Sequence, residues 1–253
     1  YTGSGSSRRV GAALWQGIYF CLFSGVILAL LALIAEPLFA LAGHPPHIQR
    51  LEVIYFRILT LGAGLNVLAA ELACFYSGRG ITRPIMLVNM AAAALNIPLN
   101  YMLINGLWIF PEMGVAGAAI ATVLASACMI VFYLPLIFNK ENERRFATRS
   151  AWAFDGSLFK RLMRYGLPGG VEFFLDIFAV TVFIFMIGRI GATELAASNI
   201  ILALYTLAFL PMIGFHIATA TMVGQAIGAG KPEEGVEATT SALRLTFMFM
   251  IFC

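Results

Sequence analysis

The run from Gly166 to Gly188 constrains this chain more than any other stretch. It is apolar and long enough to cross a bilayer, which takes about 17–25 residues of helix. Yet it carries two acids, Glu172 and Asp176. Four residues apart, they share one helix face and lie about 6 Å from each other along its axis. An ionised side chain at mid-bilayer costs roughly 2.5–3.5 kcal/mol on insertion scales. Two acids facing lipid would be poorly tolerated, so this face is expected to look into a wet interior. An acidic face inside a membrane protein points to a bound cation or proton.

Composition agrees with a membrane chain. Of the 253 residues, 60% are hydrophobic and 11% charged, against about 45–50% and 25% in soluble domains. Spanning runs fall near residues 15–41, 55–76, 85–105, 115–138, 167–190 and 199–222, and a seventh starts near Ser241. Laid out on alternate sides, sixteen Lys and Arg residues divide unevenly: Arg50, Arg57 and Arg189 fall on one side and all the others on the opposite one. The excess of basic residues marks that opposite side as cytoplasmic. It includes Arg8 and Arg9, so the start of the chain is cytoplasmic.

The longest connection, 139–165, is basic and divides the chain into parts of two lobes, 1–138 and 166–253. Within it, Asp155-Gly-Ser157 can cap a helix. Leu158, Phe159, Leu162, Met163 and Tyr165 then alternate with Lys160, Arg161 and Arg164. That pattern predicts an amphipathic helix on the inner membrane surface, ended where Pro168 bends the chain inward.

Three further patterns bear on organisation. Asn89, Asn96 and Asn100 form one polar stripe on the third span, with Pro98 among them; amides in hydrocarbon need a helix partner or a watered cavity. Gly114-Val-Ala-Gly-Ala-Ala-Ile-Ala-Thr122 is a stripe of small residues that reads as a packing seam. The start of the chain matches the segment before the seventh span, Gly3 over Gly228 and Gly5 over Gly230. The match suggests tandem repeats with an even number of spans each and a complete chain of about 450 residues, so the sequence reads as a fragment.

Other polar residues read as structural. Cys21, Cys74, Cys128 and Cys253 lie in apolar runs without metal-ligand spacing, and His44-Pro-Pro-His47 reads as a proline-fixed turn. His216 reads as a packing histidine, and Glu71, near the inner end of the second span, as reaching toward the headgroups.

Taken together, Gly3-Ser-Gly5 with Arg8-Arg9, Phe75-Tyr-Ser-Gly-Arg-Gly80, Asn96-Ile-Pro-Leu-Asn100, Gly114–Thr122, Gly166-Leu-Pro168, Gly188-Arg-Ile-Gly191 and Val223–Gly230 resemble the multidrug and toxic compound extrusion (MATE) family. The resemblance implies an all-α polytopic membrane protein with two six-helix lobes, both incomplete here, the chain covering spans three to eight and the start of nine. It implies a monomeric antiporter of the bacterial inner membrane, exporting organic cations or drugs in exchange for Na⁺ or H⁺, with no cofactor and no nucleic acid.

In sodium-coupled relatives the cation site is an acid ten positions after the Gly of the G-L-P motif. That position is Asp176 here, with Asp in place of the more usual Glu and Na⁺ as the metal it would take. Glu172 is the second coupling candidate. Archaeal relatives carry an Asn and an Asp where Asn96 and Asn100 stand, and the missing carboxylate counts against proton coupling there. Phe174, Phe178, Tyr205 and Met212, with Phe173, could form an aromatic, adaptable wall for flat cations, and Asn96 and Asn100 could complete the cavity.

The alternative, a lipid-linked precursor flippase of the same superfamily, needs basic residues around a pyrophosphate. No span has Lys or Arg at its centre, which favours cationic cargo. A channel is not legible in one acidic helix, and no nucleophile–base pair, H-E-x-x-H or P-loop suggests an enzyme.

Overall fold

The computed structural model describes residues 1–40, 45–108 and 110–252, the side chains of Ala192 and Phe252 excepted; His44 and Cys253 lie outside them. Among the described residues, six helices are long and apolar enough to cross a membrane: 7–40, 46–77, 83–105, 115–137, 156–190 and 193–228. The chain forms two compact units, residues Ser6–Phe154 and, separately, Tyr1–Gly5 with Asp155–Cys253.

In the first unit α1 (Ser7–Leu31) runs through a 3₁₀ turn (Ala32–Ile34) into α2 (Ala35–Ala40). Then come α3 (Pro46–Ser77), α4 (Arg83–Asn105), α5 (Val115–Ile137) and the short α6 (Lys140–Phe146). Helix α3 is central, packing on α1 and α5, while α4 packs on α5. The core gathers Leu14, Leu72, Phe75, Tyr76, Val88, Tyr133 and Ile137.

Small residues set these crossings, as expected where lipid is as apolar as the helices themselves. The predicted seam is real: Ala119 and Ala121 are fully buried, and a Cβ on Gly117 would stand 2.5 Å from the Leu103 carbonyl oxygen of α4. A Cβ on Gly64 of α3 would likewise lie 3.0 Å from the Gly25 Cα of α1.

Residues 139–154 are built into this unit. Asn139 caps α6 by accepting the Asn142 N–H at 2.7 Å. Three side chains of α1 then hold the following segment by its backbone. Trp15 Nε1 donates to the Thr148 carbonyl at 2.7 Å, Gln16 Nε2 to Ala153 at 3.1 Å, and the Tyr19 hydroxyl to Trp152. Gln16 and Thr148 are fully buried. Arg79, just past α3, lies between the Phe75 and Phe146 rings, 4.0 and 4.7 Å from their centroids, and ties α6 to the end of α3.

The second unit contains α7 (Gly156–Ile190), α8 (Ala192–Gly228) and α9 (Pro232–Phe252). Asp155 caps α7, its carboxylate accepting the Ser157 and Leu158 N–H groups. The amphipathic segment predicted as a separate surface helix is instead the first turns of α7, which continues through Pro168 as one helix. The proline removes one backbone bond, but helices that cross membranes tolerate this where neighbours and local adjustment satisfy the freed carbonyl. Helix α8 packs on α7 and α9; Phe215 meets Phe249 edge-on at 6.4 Å.

Both α3 and α8 stop in the same turn. Gly80 and Gly230 take φ of 72° and 73°. In each, the glycine N–H bonds three residues back and the next N–H five back: Gly80 to Ser77 and Ile81 to Tyr76, Gly230 to Ile227 and Lys231 to Ala226. This is a Schellman stop, whose left-handed residue costs an L side chain about 1–2 kcal/mol.

Candidate functional site

Glu172 and Asp176 project from one face of α7, and both are exposed. Asp176 lies fourteen residues before Ile190 and nine after Leu167, about 21 and 14 Å along the helix, so a bilayer-spanning α7 carries it near mid-depth. Neither carboxylate has a hydrogen bond or ion pair among the described residues; ion pairs elsewhere join Arg57 to Glu36, Arg145 to Glu141 and Lys231 to Glu234. Arg189, the basic residue of the last turn of α7, sits instead over the Phe185 ring at 5.2 Å.

The aromatic candidates of α7 stand elsewhere. Phe174 and Phe178 stack on each other at 5.9 Å and 19°, but each follows an acid by two residues, about 160° round the helix. They therefore face away from Glu172 and Asp176. Phe173 and Phe183 lie on the acidic side of α7, as does Tyr165 nearer its start, and the 3.6-residue period was the signal that could have added Phe183. On α8, Tyr205 and Met212 share a face with Phe209, which stacks on Tyr205 at 5.5 Å. Met212 is half-buried and His216, one turn further, is exposed with no hydrogen-bond partner among the described residues.

Asn96 and Asn100 belong to the Ser6–Phe154 unit and bond to each other. Asn100 Nδ2 donates to Asn96 Oδ1 at 2.8 Å and to the Asn96 carbonyl at 3.1 Å. Both amides are half-buried. Helix α4 stays continuous across Pro98, and the Asn100–Asn96 bonds bridge the turn that the proline weakens.

As a metal ligand set, α7 offers two carboxylates one turn apart. No group of three or more His, Cys, Asp or Glu residues that could hold a metal exists among the described residues. Na⁺ prefers a fuller oxygen shell than two side chains supply, whereas a proton needs one carboxylate.

One acid lies where its sequence position did not suggest. A Cβ on the buried Gly17 of α1 would fall 1.9 Å from Glu71 Oε1 of α3. The carboxylate thus lies in the notch that Gly17 leaves, rather than extending to the headgroups. Sequence reasoning had no pattern for it, since Gly17 and Glu71 belong to different helices.

Similarity to known proteins agrees with this architecture. The MatE family model matches residues 1–102 and 168–253. A probable multidrug resistance protein NorM of Thermotoga maritima is 28% identical over 253 residues, covering 98% of this chain and 53% of that protein. The multidrug resistance protein PmpM of Pseudomonas aeruginosa is 30% identical over 234 residues, covering 91% of this chain and 48% of that one. The chain thus spans about half the length of the curated relatives it matches.

A crystal structure of MATE in the straight conformation superposes with a TM-score of 0.83 at 24% identity, over 99% of this chain and 57% of that one. One in the bent conformation gives 0.78 at 22%, over 99% and 59%. These likenesses carry the fold, an all-α polytopic membrane architecture. The family model covers most of the chain, along α1, α3, most of α4, about two thirds of α7, and α8 and α9, and on that match the chain belongs to the MatE family.

Proposed function

We propose that this chain is part of a multidrug efflux antiporter, which exports organic cations and other drugs across a bacterial inner membrane in exchange for Na⁺ or H⁺. The observation that carries the reading is the pair Glu172 and Asp176: two carboxylates at spanning depth on α7, with no basic partner among the described residues. Negative charge held at that depth without an internal partner is stabilised by exchangeable positive charge. Neutralisation by the coupling ion lowers affinity for the cationic drug, and the reverse holds equally, because the two occupants couple reciprocally through one charge.

Similarity to NorM and PmpM, both multidrug resistance proteins, supports the substrate class. Tyr205 and Met212 on α8 and Phe173 on the acidic face of α7 are the substrate-contacting residues of their unit in this proposal, and Asn96 and Asn100 on α4 are the candidates of the Ser6–Phe154 unit. The 139–165 segment connects the two lobes, the start of the chain is cytoplasmic, and the transporter works as a monomer in the bilayer.

The test is efflux of a fluorescent organic cation from cells expressing the full-length protein. Asp176→Asn abolishes gradient-driven efflux and Glu172→Gln weakens it, with expression unchanged. Undiminished efflux by Asp176→Asn would end the assignment. Repeating the wild-type assay in sodium-free buffer separates the ions: persistence identifies H⁺, and loss restored by added Na⁺ identifies Na⁺.

A further inference from the structure

The Ser6–Phe154 unit carries a second concentration of charge that the efflux reading does not use. Between α2 and the start of α3 lies a groove of about 720 Å³ whose lining includes Glu36, Gln49, Arg50, Val53, Ile54 and Arg57. Two of the three basic residues on their side of the membrane, Arg50 and Arg57, line it together. Arg57 Nη2 pairs with Glu36 Oε1 at 3.0 Å and Nε donates to the Ala32 carbonyl at 3.3 Å. That leaves Nη1 uncommitted. The Arg50 guanidinium has no ion pair or hydrogen bond among the described residues. Glu36 cancels one of the two positive charges, so the lining is short of one negative charge.

Depth along α3 specifies what can supply it. Arg57 is twenty residues from Ser77, about 30 Å, which is the thickness of the hydrocarbon core. With the Ser77 end of α3 at one membrane surface, Arg57 stands at the level of the opposite headgroups and Arg50 about 10 Å beyond. Val53 and Ile54 give the groove an apolar floor. Ile54 and Leu61, 43% and 63% exposed, are seven residues apart and continue one apolar stripe toward the bilayer interior.

We propose that this groove binds a membrane phospholipid carrying one net negative charge, with its phosphodiester between Arg50 and Arg57 and an acyl chain along Ile54 and Leu61. Arg guanidinium forks match phosphate oxygens in geometry as well as charge. Basic pockets at headgroup level are a recurring mode of lipid recognition in membrane proteins. A zwitterionic lipid offers the same phosphodiester but no net charge, so the groove prefers the anionic one.

The experiment is thermal unfolding of the purified protein in neutral detergent, with dioleoylphosphatidylglycerol, dioleoylphosphatidylcholine, sn-glycerol 1-phosphate or inorganic phosphate titrated in. The expected result is stabilisation by phosphatidylglycerol at concentrations at least fivefold lower than by phosphatidylcholine. Arg50→Gln removes that preference, and Arg189→Gln, a third basic residue of the same side, keeps it.

Because Arg57→Gln alone would strand Glu36, the companion variant is Glu36→Gln/Arg57→Gln, which also removes the preference. Equal responses to the two lipids, or a preference that survives both groove variants, overturns the proposal. Equal stabilisation by glycerol phosphate or inorganic phosphate overturns the lipid assignment in favour of a simple anion site.

Discussion

Replacing Gln16 by Met tests whether residues 147–154 belong to the first unit by construction. Methionine matches glutamine in length and flexibility, so the fully buried space stays filled and the principal loss is the amide. Gln16 Nε2 then no longer donates to the Ala153 carbonyl, a bond of 3.1 Å. Ala153 is exposed, so water can replace the lost donor, and the cost is the net worth of one hydrogen bond, about 0.5–1.5 kcal/mol. Because the Trp15 and Tyr19 bonds persist on either side, the cost falls on local opening of this segment.

A tenfold change accompanies every 1.4 kcal/mol, so the opening equilibrium should rise by about 2- to 12-fold. Hydrogen exchange with mass spectrometry on peptides covering 147–154 reads this directly, with peptides from α9 as the internal control. Exchange within twofold of wild type in that segment would show that the Gln16 bond does not hold it. A rise spread over the whole chain would equally refute the local argument.

Two further outcomes follow from the same geometry. Gly117→Ala puts a methyl 2.5 Å from the backbone oxygen of Leu103, which cannot swing aside as a side chain could. Separating α4 from α5 should cost about 1–3 kcal/mol of stability, visible as a lower unfolding temperature in detergent, whereas Gly166→Ala, inside α7 with open space around it, does not lower that temperature, because Ala is the better helix former. The Ser150 hydroxyl, then the Arg149 N–H, hold the Glu143 carboxyl below its ordinary 4.5. With the folded value depressed, its contribution is present above the ordinary value and fades as pH falls through the folded one. Exchange protection of residues 147–150 should therefore drop on acidification below the ordinary carboxylate range, and Glu143→Gln should flatten that pH dependence.

The spans were legible because hydrophobic length is a one-dimensional property. The residues 15–41, 55–76, 85–105 and 115–138 read from composition sit within, or overlap closely, the helices found. The small-residue seam at Gly114–Thr122 was legible for the same reason, since spacing along one helix fixes its face. The Asp155 cap is likewise local chemistry. The continuity of α7 was not, because a proline marks a weak point without saying whether neighbouring turns absorb it.

What joins distant parts was hidden. Trp15, Gln16 and Tyr19 read as ordinary members of an apolar run, and their partners at Thr148, Ala153 and Trp152 lie more than 130 positions away. Glu71 needed Gly17 on another helix to explain where its carboxylate rests. The grouping of Phe173 with Phe174 and Phe178, and the omission of Phe183, is a different case. There the sequence held the answer, because counting round the helix from Asp176 puts Phe173 and Phe183 on its side and the other two opposite.

Helix α7 measures about 52 Å for its thirty-five residues, well beyond the roughly 30 Å of hydrocarbon. Its overhanging start carries Lys160, Arg161 and Arg164, and the same rod carries Glu172 and Asp176 deeper in. Any tug, roll or tilt applied at the basic cuff is thus delivered to the carboxylates as leverage through a single shaft. Pro168, where one rung of backbone bonding is missing, is the joint at which that lever can flex.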